Sequence, residues 1–229
     1  MTNFLQREIV ITEDGSNTLF VPGLDEHFHS THGAIQESDY VFIRNGLSTL
    51  NKQKLVVLEA GFGTGLNALL TALNKGDREI RYFSLEKYPL TEKEYSRLNY
   101  PNLLPGSARE MFLGIHNCPW NTPAEITPGF QLTKLEVDLL CFDFADLPCF
   151  DLIYFDAFSP GKQAEMWEES VLKRIAAHTA SKGVFVTYCA QGEVRRRLSR
   201  SGFLMQRIPG PPGKKEMLWG EKMHSCYPV

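Results

Sequence analysis

Apolar and polar positions alternate with two different periods along this chain, and the switches between them outline its elements. Ile9-Val10-Ile11-Thr12 and Thr18-Leu19-Phe20-Val21 are β-prone runs around the turn-forming Glu13-Asp14-Gly15-Ser16-Asn17, which predicts a hairpin. Between Gly33 and Lys52, Ile35, Val41, Phe42 and Leu47 fall at loose helical spacing and predict a helix. Strand and helix patterns then alternate: strand 55–59, helix 66–74, strand 80–86, helix 91–98 and helix 108–116. Pro119, Pro123, Pro128 and Gly129 mark 117–129 as a loop. Strands at 130–135, 137–142 and 151–156 follow, then a helix at 168–178, a strand at 183–188 and a helix at 193–201. Two last strands, 203–208 and 216–219, flank the stiff Pro209-Gly210-Pro211-Pro212-Gly213 segment.

Strands joined through helices imply an α/β fold with a doubly wound, mostly parallel sheet. The hairpin and helix of 1–52 read as an extension to a core domain at 53–229. A length of 229 residues suits that layout and leaves little room for a second domain. With 43% hydrophobic and 22% charged residues, global disorder is excluded. The start lacks a basic-then-apolar leader, and no apolar run approaches the ~20 residues that span a bilayer, so the expected location is cytoplasmic, away from membranes. The five cysteines form no C-x-x-C pair and are expected as reduced, mostly packing thiols.

The chemistry concentrates where strand patterns end. Leu55-Val56-Val57-Leu58-Glu59-Ala60-Gly61-Phe62-Gly63-Thr64-Gly65-Leu66-Asn67 is an apolar strand that runs into glycines just where a helix begins. Missing side chains let the backbone turn sharply and approach a ligand, and a helix N-terminus offers free N–H groups. A nucleoside-type cofactor should sit there. Dinucleotide sites favour G-x-G-x-x-G, whereas Gly61, Gly63 and Gly65 run G-x-G-x-G behind an acid, Glu59. That carboxylate would repel a pyrophosphate but can orient the cationic amino end of S-adenosylmethionine (SAM), which makes SAM the expected cofactor. A plain tight turn is the bland alternative.

Glu86 closes the next strand at the position where an acid meets ribose hydroxyls, unless it is simply a solvated strand end. In Cys141-Phe142-Asp143-Phe144-Ala145-Asp146, expected at the end of the third strand, Asp143 is preferred over Asp146 as acceptor for an adenine amino group. Asp151-Leu152-Ile153-Tyr154-Phe155-Asp156-Ala157-Phe158-Ser159-Pro160 delivers Asp156 to the carboxyl edge of the sheet, facing the transferred methyl. An acceptor amine with a free pKa of about 10 is protonated at neutral pH, so a carboxylate must hold it and help remove a proton. Phe155 or Phe158 could stack on a base, and an aspartate that merely caps the next turn is the alternative.

Charge changes the picture once more. The net charge of −3 gives no hint of nucleic acid, yet Arg195, Arg196, Arg197, Arg200, Arg207, Lys214 and Lys215 gather near the C-terminus. Like charges cannot all face one way on a helix, so solvated surface is the default. The adjoining Arg207, Lys214 and Lys215 can extend the patch, which favours contact with an RNA backbone. His27, His29 and His32 superficially resemble a metal site, but the run lacks a cysteine and methyl transfer needs no metal; substrate contact or loop packing is expected instead.

At these residues the chain resembles the methyltransferase part of the bifunctional MnmC family of tRNA 5-methylaminomethyl-2-thiouridine biosynthesis proteins and its stand-alone MnmD-like relatives. The carriers are Leu58–Asn67, Ser84-Leu85-Glu86-Lys87-Tyr88-Pro89-Leu90, Tyr154–Pro160 with Met166-Trp167, Tyr188–Arg196, Gly213–Leu218 and Gly33–Phe42, which together span most of the chain. The resemblance implies a class I SAM-dependent methyltransferase fold, in which a C-terminal antiparallel strand pair is common. It further implies methylation of 5-aminomethyl-(2-thio)uridine at the wobble position in the tRNA anticodon arm. Glu37 and Tyr40 would shape the substrate end, and Asp156 would act on the amine. Asn67, inside the glycine motif, joins the cofactor residues, and Phe158, Arg195, Arg196, Lys214 and Lys215 join the substrate residues. The bifunctional members continue into a flavin-dependent oxidase, whereas this sequence ends at Val229, so no FAD is expected and the aminomethyl uridine would come from upstream modification enzymes. A small-molecule amine methyltransferase or aminopropyltransferase shares the fold but gives no reason for the basic patch, and a non-catalytic nucleotide-binding subunit would bind SAM without methyl transfer.

Overall fold

A computed structural model describes residues 6–223. The hairpin forms as β1 (Glu8–Ile11) and β2 (Asn17–Val21), paired antiparallel around a turn in which the Asp14 carboxylate accepts from Ser16 N and Gln36 N. A short β3 (Glu26–His27), unmarked by any alternation in the sequence, adds to β2 and completes a small three-stranded sheet.

The helix expected over 33–52 breaks into three pieces. α1 (Ala34–Ser38) passes into a π-helical turn (Asp39–Arg44) and then a 3-10 turn (Leu47–Thr49). Asn45 closes the wide turn by donating both its N–H and its Nδ2 to Tyr40 O. At Gly46 an added Cβ would lie 2.3 Å from Phe42 O, so a glycine is required for the chain to leave the turn. These pieces are not an appendage: Leu19, Val41, Phe42 and Leu47 are buried in the same cluster as Leu55, Leu69 and Tyr154 of the main core.

The main sheet takes β4 (Lys54–Ala60), β5 (Glu79–Glu86), β7 (Phe130–Glu136), β8 (Phe150–Phe155) and β9 (Thr179–Thr187) in parallel. Crossovers run through α2 (Leu66–Asn74), the short α3 (Glu92–Tyr95) and α4 (Tyr100–Leu103), α5 (Ala108–Asn117) and α6 (Glu169–Ala177). After α7 (Gly192–Arg200) the chain returns as β10 (Phe203–Pro209) and β11 (Glu216–Lys222), the expected antiparallel pair. The order β10-β11-β9-β8-β4-β5-β7, continued by one short edge strand beyond β7, places the reversal of winding between β4 and β8. In such sheets ligands bind at the carboxyl ends of the strands flanking that point.

Two further sequence expectations fail for identifiable reasons. The segment 117–129 is not all loop: β6 (Ala124–Thr127) pairs antiparallel with β7 at the sheet edge, where bracketing prolines cost no ladder bond. The segment 137–142 is not a strand. Asp138 accepts from Leu140 N through its side chain and from Cys141 N through its carbonyl, and this local turn outcompetes pairing of the apolar run. Cys118, Cys141 and Cys189 are free thiols, and Cys226 lies outside the described residues. Among the described residues no helix is long and apolar enough to cross a membrane.

Candidate active site

The glycine turn and Asp156 meet at the switch point. Leaving β4, Gly61 N and Phe62 N both donate to Leu85 O of β5, while Asp156 N, just past β8, donates to Ala60 O at 3.0 Å. Gly61, Gly63 and Gly65 adopt φ of 96°, 51° and 72°, a region that favours glycine. A Cβ on Gly61 would lie 2.8 Å from Asp156 O, and one on Gly63 would press on the Phe28 ring. Gly61 and Gly63 thus form a cradle at the cleft, whereas Gly65, whose Cβ would meet Phe62 and His116, shapes the turn without lining it.

Above this cradle lies a cleft of about 530 Å³. Gly61, Gly63 and Asp156 form its floor, Leu85, Val137, Leu139 and Met166 supply apolar walls, and Glu86 and Asp138 supply acids. Glu86 accepts from Gly63 N at 3.0 Å and from Tyr88 N at 2.8 Å, so the carboxylate is fixed at the strand end where sequence placed it. The shape suits SAM: an apolar slot for a purine, an acid for a diol, and a glycine floor beneath the reacting end.

Asp156 lines the cleft yet is ringed by protein. Burial pushes its carboxyl up to about 7; Asn67 and Lys214 oppose that shift, and Glu37 adds to it. Asn67 Nδ2 donates to Asp156 Oδ2 at 2.8 Å, so Asn67, expected to touch the cofactor, instead holds the aspartate. Glu59 also departs from expectation. It is fully buried beneath the turn, takes a hydrogen bond from the Ser84 hydroxyl, and does not line the cleft. Burial first, and the nearby Asp156 charge, raise its carboxyl to about 8, so at neutral pH it is mostly protonated and offers no fixed negative charge to a cofactor. Such a group stabilises the fold fully below the ordinary glutamate range, and that contribution is lost as pH rises through about 8. Glu59→Gln should therefore flatten the decline of thermal stability between about pH 4.5 and about pH 8, measured by differential scanning calorimetry.

Asp143 is displaced altogether. Because β7 ends at Glu136, the strand-end acid that reaches the cleft is Asp138, whereas Asp143 is exposed and caps Ala145 N. Asp146 is likewise exposed and outside the cleft lining. Phe158 does line the cleft, edge-on to Phe28 at 5.3 Å between centroids. Tyr40 lies outside it, donating to Pro209 O and lining a neighbouring groove of about 520 Å³ with Arg44, Pro211, Pro212 and Lys214.

The histidines disperse. His29 is buried against the Thr64 hydroxyl at 2.8 Å, and burial lowers it to about 4; His32 meets Glu13, and His27 packs on Phe20. Among the described residues no group of three or more potential metal ligands occurs. Sequence reasoning missed Phe28, Arg7 and Tyr188 as cleft residues. Nothing local marks the first two, whereas Tyr188 follows the last parallel strand, as Asp156 follows its own.

The basic patch is mostly spent within the protein. Arg196 pairs with Glu193 at 2.7 Å, Arg197 donates to Trp167 O at 2.9 Å, Arg200 meets Glu169 at 2.8 Å, and Arg207 lies 3.6 Å from Glu216. Lys214 turns inward to Glu37, while Arg195 and Lys215 remain exposed.

Known proteins place these features. Residues 118–223 match a family described as S-adenosyl-L-methionine-dependent methyltransferase. The tRNA 5-methylaminomethyl-2-thiouridine biosynthesis bifunctional protein MnmC of Burkholderia mallei is 31% identical over 93% of this chain and 35% of its own length. Its namesake in Cupriavidus metallidurans is 30% identical over 98% of this chain and 36% of its length. The chain thus spans about a third of the curated relatives it matches. Among solved structures, MNMC2 from Aquifex aeolicus superposes with a TM-score of 0.77 at 25% identity, covering 96% of this chain and 71% of that one. With the glycine cradle, the strand order and the cleft pointing the same way, the chain is an enzyme of the class I SAM-dependent methyltransferase fold and a relative of the MnmC-type proteins.

Proposed function

We propose that the protein methylates the exocyclic amine of 5-aminomethyl-(2-thio)uridine at the wobble position of tRNA, giving the 5-methylaminomethyl product. The carrying observation is the Asp156 carboxyl, held by Asn67 beside the glycine floor and poised near neutrality at about 7. A carboxylate of that proton affinity can take the proton an ammonium must lose before its nitrogen attacks. The neutral nitrogen's lone pair forms the new N–C bond as the donor's C–S bond breaks, leaving that electron pair on sulfur. The methylated nitrogen then sheds its proton to solvent. SAM supplies the electrophilic methyl; Glu86 would hold its ribose, Leu139 and Val137 its purine, and Asp138 takes over the acceptor role expected of Asp143. Glu59 supports the turn from beneath, and Phe158 offers a ring edge near the acceptor. The reaction as proposed uses neither metal nor flavin, and its substrate would come from enzymes that install the aminomethyl group.

Support for a tRNA acceptor is the naming of the relatives, together with an aromatic ring, Phe158, that lines the cleft with Asp156 and could stack on a base taken out of its stack. One observation favours a second reading: with Arg196, Arg197 and Arg200 paired to protein groups, the patch argues less strongly against a small amine acceptor. Labelled SAM, offered with tRNA from cells blocked at the aminomethyl step and in parallel with small primary amines, separates the two. Label in 5-methylaminomethyl-(2-thio)uridine after digestion is expected; label in the small amines alone would favour the second reading.

Two further outcomes are expected. Because the Asp156 carboxyl must be ionised, kcat/KM should rise with pH through about 7, with unit slope on the acid side. Charge reversal at Arg195 and Lys215 should weaken tRNA binding and flatten the dependence of log K on log salt by about 0.9 for each phosphate no longer neutralised. An unchanged salt slope in a filter-binding titration would leave both residues as plain surface.

A further inference from the structure

Lys214 does not behave like a residue of a surface patch. It follows the Pro209-Gly210-Pro211-Pro212-Gly213 loop between β10 and β11, which is locked by Lys214 N donating to Pro211 O and Gly210 N to Lys215 O. An added Cβ on Gly210 would lie 2.5 Å from Lys214 O, so the loop closes this tightly only with glycine there. The loop sends the Lys214 ammonium inward, 2.6 Å from Glu37 Oε1 and 3.8 Å from the centroid of the Tyr188 ring. Both anchors are themselves fixed. Glu37, its side chain only 7% exposed, accepts from Ser30 N through its other oxygen, and the Tyr188 hydroxyl donates to Ala157 O, one residue past Asp156.

The placement also joins two spaces. Lys214 lines the groove it shares with Gln36, Tyr40 and Arg44, while the ring beneath its ammonium lines the donor cleft. An acceptor reaching from the groove to Asp156 would pass this charge. The titratable and charged groups around it are Glu37, Asp156, His29, Tyr188 and Cys189, with Tyr40 and Arg44 on the shared groove. Burial keeps His29 neutral and holds the Tyr188 hydroxyl and the Cys189 thiol protonated, so Lys214 is the cation that bears on Asp156 at neutral pH.

We propose that Lys214 sets the protonation state of the acceptor: its anchored ammonium, at the junction of groove and donor cleft, disfavours a second cation there and so favours the neutral, nucleophilic form of an amine. The inference rests on the amine-acceptor reading above. A neighbouring cation lowers the proton affinity of an amine, and the same charge helps keep Asp156 ionised. Removing it moves both proton affinities upward, so the acid limb of activity must move upward with them.

The test is the pH profile of kcat/KM for methyl transfer to tRNA carrying 5-aminomethyluridine, from about pH 6 to about pH 9. Lys214→Met should move the acid limb up by about one unit, a loss of about tenfold on the acid side that vanishes at high pH. Lys214→Arg, which keeps the charge, should retain the wild-type profile. Glu37→Gln removes the opposing charge and should move the limb down. A loss of equal size at every pH in Lys214→Met, with the limb in place, would overturn the proposal and leave Lys214 a packing residue. Should Lys214→Met fail to bind S-adenosylhomocysteine, the Glu37→Gln limb decides, and an unmoved or raised limb there overturns the proposal as well. A wild-type enzyme that methylates no amine would instead sink the acceptor reading, and this inference with it.

Discussion

Asp156→Asn should lower kcat by about 10²- to 10⁴-fold, the usual contribution of a positioned acid–base group, while S-adenosylhomocysteine binds within severalfold of wild type. The substitution is close to isosteric, and an asparagine Oδ1 can still accept from Asn67 Nδ2, so the fold beneath the cleft has no reason to move. What disappears is the capacity to take a proton from an ammonium. Single-turnover methyl transfer with calorimetric titration of the cofactor product separates these effects. Unchanged turnover would remove Asp156 from the chemistry and leave it a turn-capping residue.

Gly61→Ala should have the next largest effect, acting on the backbone. Gly61 sits at φ 96°, and its missing Cβ would lie 2.8 Å from Asp156 O, which is backbone and cannot swing aside. Left-handed strain and the forced parting of β4 from β8 together should cost about 1–3 kcal/mol of stability. They should also weaken S-adenosylhomocysteine binding by tenfold or more, because the floor of the cleft and the carbonyl of Asp156 move apart. Gly76→Ala is the control: it shares the positive φ, at 61°, but has nothing within 4 Å of an added Cβ. Equal losses in the two variants, by thermal denaturation and by titration, would mean that the close approach at Gly61 has no role in the site.

Those two residues were also the most legible in the sequence. A run of apolar residues ending in glycines, and a second ending in Asp156, belong to strands that pair side by side as β4 and β8, so both ends arrive at the switch point by topology alone. Glu86 was readable for the same reason. Glu59 and Asn67 were read in the right neighbourhood with the wrong contacts. Which way a side chain points from a strand end or the first helical turn depends on what packs above it, and here Ser84 and Asp156 claim them. Asp143 failed because the turn at Asp138 ended the strand pattern early, shifting the cleft acid by five positions. The arginine run misled in another way. Their neutralisation depends on Glu169, distant in sequence, as well as on Glu193 on the same helix, and a count of positive residues does not register such partners. Lys214 shows the limit most clearly, since only the folded loop decides whether a lysine after Pro-Pro-Gly faces solvent or Glu37.

The most direct measurement is a crystal structure with S-adenosylhomocysteine bound. The expected result has its ribose hydroxyls on Glu86, its purine between Val137 and Leu139, and its sulfur over Gly61 with the open side toward the Asp156 carboxyl. A cofactor product bound elsewhere, or seated with its sulfur turned away from Asp156, would contradict the placement from which every catalytic role above follows.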